Sequence, residues 1–163
     1  MNLSSQSEAP ASAQPRALVL DQFAPGSRIA LRVFFAVLLV VTGVAKLLDM
    51  AGFYDIVRSY QSLPELVVPT ASWLLALGEL VMAVWLLARY RPRWAAVTVV
   101  LLHLMYLGWL LLALLRGLEI SNCGCFGVFW ARPLTWYSPL EDLVLVGLAI
   151  LYWWLLPQDE VAS

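Results

Sequence analysis

Residues 67–115, VVPTASWLLALGELVMAVWLLARYRPRWAAVTVVLLHLMYLGWLLLALL, form two apolar runs divided by Arg89-Tyr90-Arg91-Pro92-Arg93. A helix must present about 20 mostly apolar residues to cross the hydrocarbon core of a bilayer, and the segments 67–88 and 94–115 each do so. So short a connection makes the pair an antiparallel helical hairpin. Three arginines within it mark the connection as cytoplasmic, because cytoplasmic loops carry the excess of Lys and Arg.

Two further segments of the same kind flank the hairpin, at 29–48 and 139–156. The expected fold is therefore all-α: a polytopic membrane four-helix bundle over residues 29–156, with a short interfacial helix in its first outer loop. The last span is short, but Ser138-Pro139-Leu140-Glu141 offers an N-cap serine, a proline at the first helical position and a capping-box glutamate. Trp73, Trp94, Trp136, Trp153 and Trp154 lie towards the ends of the runs, where an apolar ring with a polar N–H anchors at the headgroups.

Composition agrees with one membrane domain. The 163 residues are 62% hydrophobic and 13% charged, with a mean hydropathy of +0.80. A net charge of -1 leaves no basic field to recruit nucleic acid. Residues 1–28, rich in Ser, Ala and Pro, lack the charged start, apolar core and small-residue cleavage site of a secretory signal. They are expected to be a disordered cytoplasmic tail whose Leu18-Val19-Leu20 touches the membrane surface, and 157–163 a short cytoplasmic C-terminal tail. Arg16, Arg28 and Arg32 place the N-terminus on the same side as the hairpin arginines. The two longer loops then face outward, carrying Asp49, Asp55, Glu65 and Glu119 against Arg58 and Arg132.

The first of these loops repeats apolar residues at helical spacing. Phe53, Ile56, Val57 and Tyr60 predict a short amphipathic helix over 52–62, ended by Pro64. It either shields the helix ends, the simpler reading, or covers the bundle mouth as a lid.

The second outer loop contains both cysteines, in Asn122-Cys123-Gly124-Cys125-Phe126-Gly127. A disulfide between Cys123 and Cys125 closes only a very small ring, and Gly124 supplies the backbone freedom that such a turn demands. A strained, exposed disulfide is an exchange-active one, whereas a cross-link this local constrains little of the unfolded chain. Redox exchange is the reading these facts favour. Structural stapling and metal binding stay open beside it. A structural zinc site is disfavoured because the chain offers no second pair and a single distant histidine; a copper(I) site of two thiolates is not.

Ionisable groups inside a membrane are costly and turn towards a partner or a cavity. Lys46, Glu79 and His103 qualify. Counting about 1.5 Å per residue, Lys46 lies about 5 Å below the outer surface and can snorkel to it, whereas Glu79 lies about 15 Å deep and has no such escape. Glu79 must pair with a cation or stay neutral, either as hydrogen-bonding glue between helices or as a functional group. For His103 the simpler reading is a hydrogen-bonded core imidazole. At the start of the last helix, Glu141 serves the helix N-terminus. Asp142, turned about 100° from it, is the better candidate to face inward.

These residues together resemble a family. Gly43-Val44-Ala45-Lys46, then Phe53, Tyr60 and Leu63-Pro64, then Gly78-Glu79, and finally Cys123-Gly124-Cys125-Phe126-Gly127 are similar to the methylamine utilisation protein MauE family, a branch of the DoxX-like membrane proteins. The resemblance runs over about 29–156. It implies a four-helix protein of the cytoplasmic membrane, linked in methylamine metabolism to maturation of a disulfide-rich dehydrogenase subunit, and in other settings found with thioredoxin-like partners. In similar proteins an asparagine often stands near the start of the last helix, where this chain has Glu141-Asp142.

The mechanism expected from residues and resemblance is thiol–disulfide exchange between the Cys123/Cys125 pair and an extracytoplasmic thioredoxin-like or cysteine-rich client. Lys46 would lower a thiol pKa and Phe126 would shape the docking surface. One cysteine pair holds only two electrons, so a bilayer quinone is the expected cofactor, with Glu79 and His103 handling its protons. A non-enzymatic membrane assembly scaffold, or a copper-binding protein, is the alternative. A small-solute carrier is disfavoured by the lack of an internal repeat or of a pair of broken spans.

Overall fold

The structure, a computed structural model, describes residues 15–156, with side-chain placement from Pro25 onward. Its elements are five helices: α1 (Pro15–Leu48), α2 (Met50–Ser59), α3 (Val68–Ala88), α4 (Pro92–Leu115) and α5 (Tyr137–Leu155). Four are long and apolar enough to cross a membrane: Pro25–Leu48 of α1, and the whole of α3, α4 and α5. The polytopic all-α bundle expected from the apolar runs is the observed architecture.

Its packing is that of a protein in lipid. Large apolar side chains such as Val37, Val41, Val81, Val84 and Leu101 point outward and are exposed, while the small Ser72, Ala76, Ala83, Ala96 and Ala149 are buried between helices. Lipid gives no drive to hide Val or Leu, so small residues that allow close approach gather at the interfaces. At Gly43 a Cβ would stand 3.0 Å from the Leu80 side chain and 3.1 Å from the Ala76 carbonyl. There α1 and α3 nearly touch. One apolar cluster, built on Phe35, Leu39, Leu86, Val99 and Tyr152, fills the end of the bundle near the α3–α4 connection. The five tryptophans near the helix ends are all exposed, as anchoring requires.

Three expectations need correction. The first helix starts at Pro15 and not at 29, so 15–28 are helical where a disordered tail was expected. Pro15 stands where its missing N–H costs nothing, and good helix formers such as Ala17, Leu18 and Leu20 follow. Pro25 lies inside the helix, which runs through it. Residues 1–14 and 157–163, and the side chains of Leu18-Val19-Leu20, lie outside what is described. Secondly, α5 begins at Tyr137 with Trp136 in the cap position and no side-chain cap. Ser138 Oγ instead accepts a 3.4 Å bond from the Thr135 N–H, and Glu141 pairs with Arg132 through two bonds of 2.9 and 2.7 Å. Bidentate pairing with a guanidinium outcompetes a single capping bond.

The third concerns only the bounds of α2, the short helix expected over 52–62 in the first outer loop. It runs from Met50 to Ser59, capped by the Asp49 carboxylate, which accepts the Gly52 N–H at 2.9 Å. Its apolar stripe of Phe53, Ile56 and Val57 is buried with Val68 in a second cluster at the opposite end of the bundle from the first. The stripe faces protein: α2 packs on α3 and over the cysteine loop, where Val128 joins the same cluster.

Candidate functional site

The site begins with a buried ion pair. Lys46, in the last turn of α1, places Nζ 2.7 Å from each carboxylate oxygen of Glu79, midway along α3. The two residues are 2% and 1% exposed. Tyr106 of α4 adds its hydroxyl, donating to Glu79 Oε1 at 2.6 Å. Its ring and that of Phe53 each lie 5.7 Å from Nζ, so aromatic faces also surround the ammonium. Removing one partner of such a pair strands a buried charge, a loss of about 3–5 kcal/mol. Three helices are tied here by one carboxylate.

Lys46 thus does not snorkel, and the depth difference inferred from segment ends is wrong. The antiparallel helices are staggered: Gly43 lies level with Ala76 and Leu80, so α3 continues beyond the end of α1 and α2 covers the step. Segment ends counted separately do not share a level.

Above the pair sits the cysteine loop. Lys46 Nζ donates a third bond to the Cys125 carbonyl at 3.4 Å, and Tyr60, just past α2, donates its hydroxyl to the Cys123 carbonyl at 2.7 Å. Asn122 closes the turn from within. Its Oδ1 accepts the Gly124 N–H and its Nδ2 donates to the Gly127 carbonyl, both at 3.0 Å. Cys123 N–H to Arg132 carbonyl (2.9 Å) and Leu134 N–H to Ile120 carbonyl (2.8 Å) join the loop's two arms. Gly124 and Gly127 have φ of +78° and +62°, the region open to glycine. At Gly127 a Cβ would stand 3.0 Å from the Ala45 carbonyl. The loop lies directly on the end of α1.

Both cysteines are free, Cys125 exposed and Cys123 half-buried, with their sulfurs 3.4 Å apart and hydrogen-bonded. Their chemistry is unequal. The Cys125 S–H, given to the Cys123 sulfur, holds the Cys123 thiol down at about 6 against burial, helped by the Cys125 N–H and the Arg132 charge. The same bond pushes the Cys125 thiol up. Burial likewise pushes the Tyr60 phenol up, so it remains a donor.

Ion pair and thiols line one cavity of about 140 Å³. His103 and Asp142 line it too. His103 is buried, its Nδ1 2.9 Å from the Val99 carbonyl and its ring edge-on to Phe35 and Tyr106. A carbonyl only accepts, so Nδ1 carries the proton and the core-imidazole reading holds for that nitrogen. Asp142 is 7% exposed, and its Oδ2 is buried with no hydrogen-bond partner among the described residues. Glu141, one residue earlier, is outside with Arg132. Phe126 is half-buried, its ring 6.2 Å from that of Trp130.

The cavity therefore gathers Cys123, Cys125, Lys46, Glu79, His103 and Asp142. Lys46, its ammonium bonded to Glu79 and to the Cys125 carbonyl, acts by charge on Cys125, where it pulls the thiol down against the larger opposing effects of the sulfur–sulfur bond and burial, and the cation acting on Cys123 is Arg132. Tyr106, Asn122 and Arg132 were missed by sequence reasoning. A tyrosine hydroxyl three residues after a buried histidine in a membrane span was a usable signal for Tyr106. Among the described residues no group of three His, Cys, Asp or Glu is arranged to hold a metal.

The description of methylamine utilisation protein MauE matches residues 25–155. The chain belongs to the MauE family. It is 35% identical over 121 residues to the methylamine utilization protein MauE of Paracoccus denitrificans, covering 74% of this chain and 65% of that one. The chain thus spans just under two thirds of that relative's length. No solved structure matches it. Family and helices together make it a multi-pass membrane protein, and the Lys46, Glu79 and CGCFG signature that suggested MauE forms one contiguous site.

Proposed function

We propose that this protein is a membrane thiol–disulfide oxidoreductase that oxidises a cysteine-containing client through the Cys123/Cys125 pair. The observation that carries the reading is the asymmetric pair itself: one thiol held low, one held high, sulfurs 3.4 Å apart, on a loop pinned to three helices. In the oxidised form a client thiolate attacks Cys123 Sγ. The Cys123–Cys125 bond breaks, and Cys125 departs and takes a proton. The client's second thiolate then attacks the mixed disulfide, releasing the client disulfide and a Cys123 thiolate, a good leaving group because its pKa is low. Two electrons have passed from client to pair, one proton has gone to Cys125, and the client's own thiol protons have left to water. A bilayer quinone would accept the two electrons together with two protons, giving quinol, and the apolar lining of the cavity beside Glu79 and His103 is where it would be held.

Asp142 is the group suited to hand Cys125 its proton. Glu79 is saturated by Lys46 and Tyr106, Glu141 is outside with Arg132, and Tyr60 is committed to the Cys123 carbonyl. Asp142 keeps an unpartnered oxygen in the same cavity as both sulfurs.

The client is extracytoplasmic, thioredoxin-like or cysteine-rich, and the maturation role named for methylamine utilisation fits such a client. This reading puts the loop on the outer face of the cytoplasmic membrane with both termini inside. A membrane-impermeant maleimide should label Cys125 in intact spheroplasts; labelling only after lysis contradicts that orientation.

Run in reverse, the exchange can be watched with dithiobis-nitrobenzoate, a disulfide that releases a coloured thiolate at each step. The reduced protein should release one equivalent quickly through Cys123 and a second as Cys125 closes the ring. Cys125→Ser should abolish the second release alone. Asp142→Asn should slow it about a hundredfold, with Asp142→Glu restoring it in part. A single release from the native chain would overturn the exchange reading, whereas two equally fast releases in Asp142→Asn would overturn only the role of Asp142.

A further inference from the structure

At the bundle end opposite the cysteines, a second cavity of about 190 Å³ is lined by Arg28, Arg32 and Arg89 together with the apolar Pro25, Ile29, Pro92 and Leu156 and by Tyr152. Arg28 and Arg32 stand one turn apart on α1. Arg89, the residue ending α3, is turned there by a left-handed backbone with φ of +58°. Among the described residues no acidic side chain lines the cavity, and none of the three guanidiniums forms an ion pair.

Two of the lining arginines have a donor without a partner among the described residues. Arg28 Nε and Arg32 Nε are buried atoms without a hydrogen-bond partner, and with Asp142 Oδ2 they are the only such side-chain atoms among the described residues. An unmade bond at a buried donor is costly, the more so at a charged group. Three like charges converging on one space also repel. Both penalties vanish if an anion with several acceptor oxygens occupies the cavity.

We propose that this cavity binds a phosphate group, held by the Arg28 and Arg32 forks with Arg89 closing over it. Planar guanidiniums match phosphate oxygens in pairs. The cavity lies at the end of membrane-spanning helices, the level of lipid headgroups, where basic pockets between helices take acidic lipids. The phosphodiester of an acidic phospholipid and a free phosphate ion share the chemistry, and the test separates them.

The full chain is purified in detergent. Native mass spectrometry measures retention of added phosphatidylglycerol against phosphatidylcholine, and thermal unfolding is followed with and without inorganic phosphate. One phosphatidylglycerol should be retained per chain, and Arg28→Gln with Arg32→Gln should weaken retention about 30-fold, roughly fivefold per arginine. Arg91→Gln removes the same charge from the neighbouring exposed connection, outside the cavity, and should leave retention unchanged. Should the double variant fail to fold, Arg89→Gln alone is read, with a fivefold loss expected. Stabilisation by inorganic phosphate without lipid retention supports the anion site and assigns it to a soluble phosphate. Equal retention of both lipids with no response to phosphate, or an equal loss in Arg91→Gln, overturns the proposal.

Discussion

Cys123 and Cys125 are neighbours in sequence with different environments. A thiol is reactive only as thiolate, so the hydrogen bond from Cys125 decides which sulfur attacks or leaves. Because the Cys123 thiol is lowered to about 6, its thiolate is present above that pH and lost below it. Iodoacetamide modification of Cys123, followed by peptide mass spectrometry in a Cys125→Ser background and in the native chain, should show this. In the native chain the rate should rise with a midpoint near pH 6 and level off; without the Cys125 S–H the midpoint should move upward. A native midpoint in the ordinary thiol range, near 9, would contradict the assignment. The sulfur pair was legible in sequence from its tight spacing and flanking glycines. The roles of Asn122 and Arg132 were not, since each acts through a fold of the loop that no periodicity reports.

At the scale of elements, the loop's fit depends on its contact with α1. Gly127 combines a positive φ with a Cβ position 3.0 Å from the Ala45 backbone. A left-handed conformation costs a non-glycine residue about 1–2 kcal/mol, and helix backbone cannot move aside. At Gly124 the obstructing atom is a side-chain methyl of Ile56, 2.6 Å away, which α2 can shift. Gly127→Ala should therefore cost more stability than Gly124→Ala, roughly 2 kcal/mol or more in total, read as the larger fall in thermal midpoint, and should expose Cys125 further to alkylation. Equal stability of Gly127→Ala and the native chain would show that the loop does not rest on α1. Element existence was legible from apolar length alone. Element ends were less so: the Ser138 and Glu141 pattern pointed to a capping box, but Arg132, brought near by the loop's pairing, took Glu141 instead. Pro15 opened a helix where composition alone suggested a tail.

Considered whole, the molecule is a bundle with one chemically distinct end. Lys46, Glu79 and Tyr106 tie α1, α3 and α4 below the cysteine loop, while α2 and Tyr60 hold it from above. A buried ion pair is weak evidence for stability by itself. Here it fixes the floor on which the reactive turn rests. Lys46 and Glu79 were each visible in the sequence as ionisable groups in apolar runs, yet their meeting was hidden by the stagger of α1 against α3. The arginines at the other end were legible as a marker of sidedness; their convergence on one cavity emerged only with the fold.

The central claim, that the pair exchanges electrons, is tested most directly by its redox equilibrium. The protein in its own membranes is equilibrated across a glutathione series, alkylated, and the peptide containing Cys123 and Cys125 is weighed. The account predicts a reversible transition in which both thiols disappear together as one two-electron step. Thiols that remain reduced at every glutathione ratio, or a bond that no ratio reduces, would contradict it.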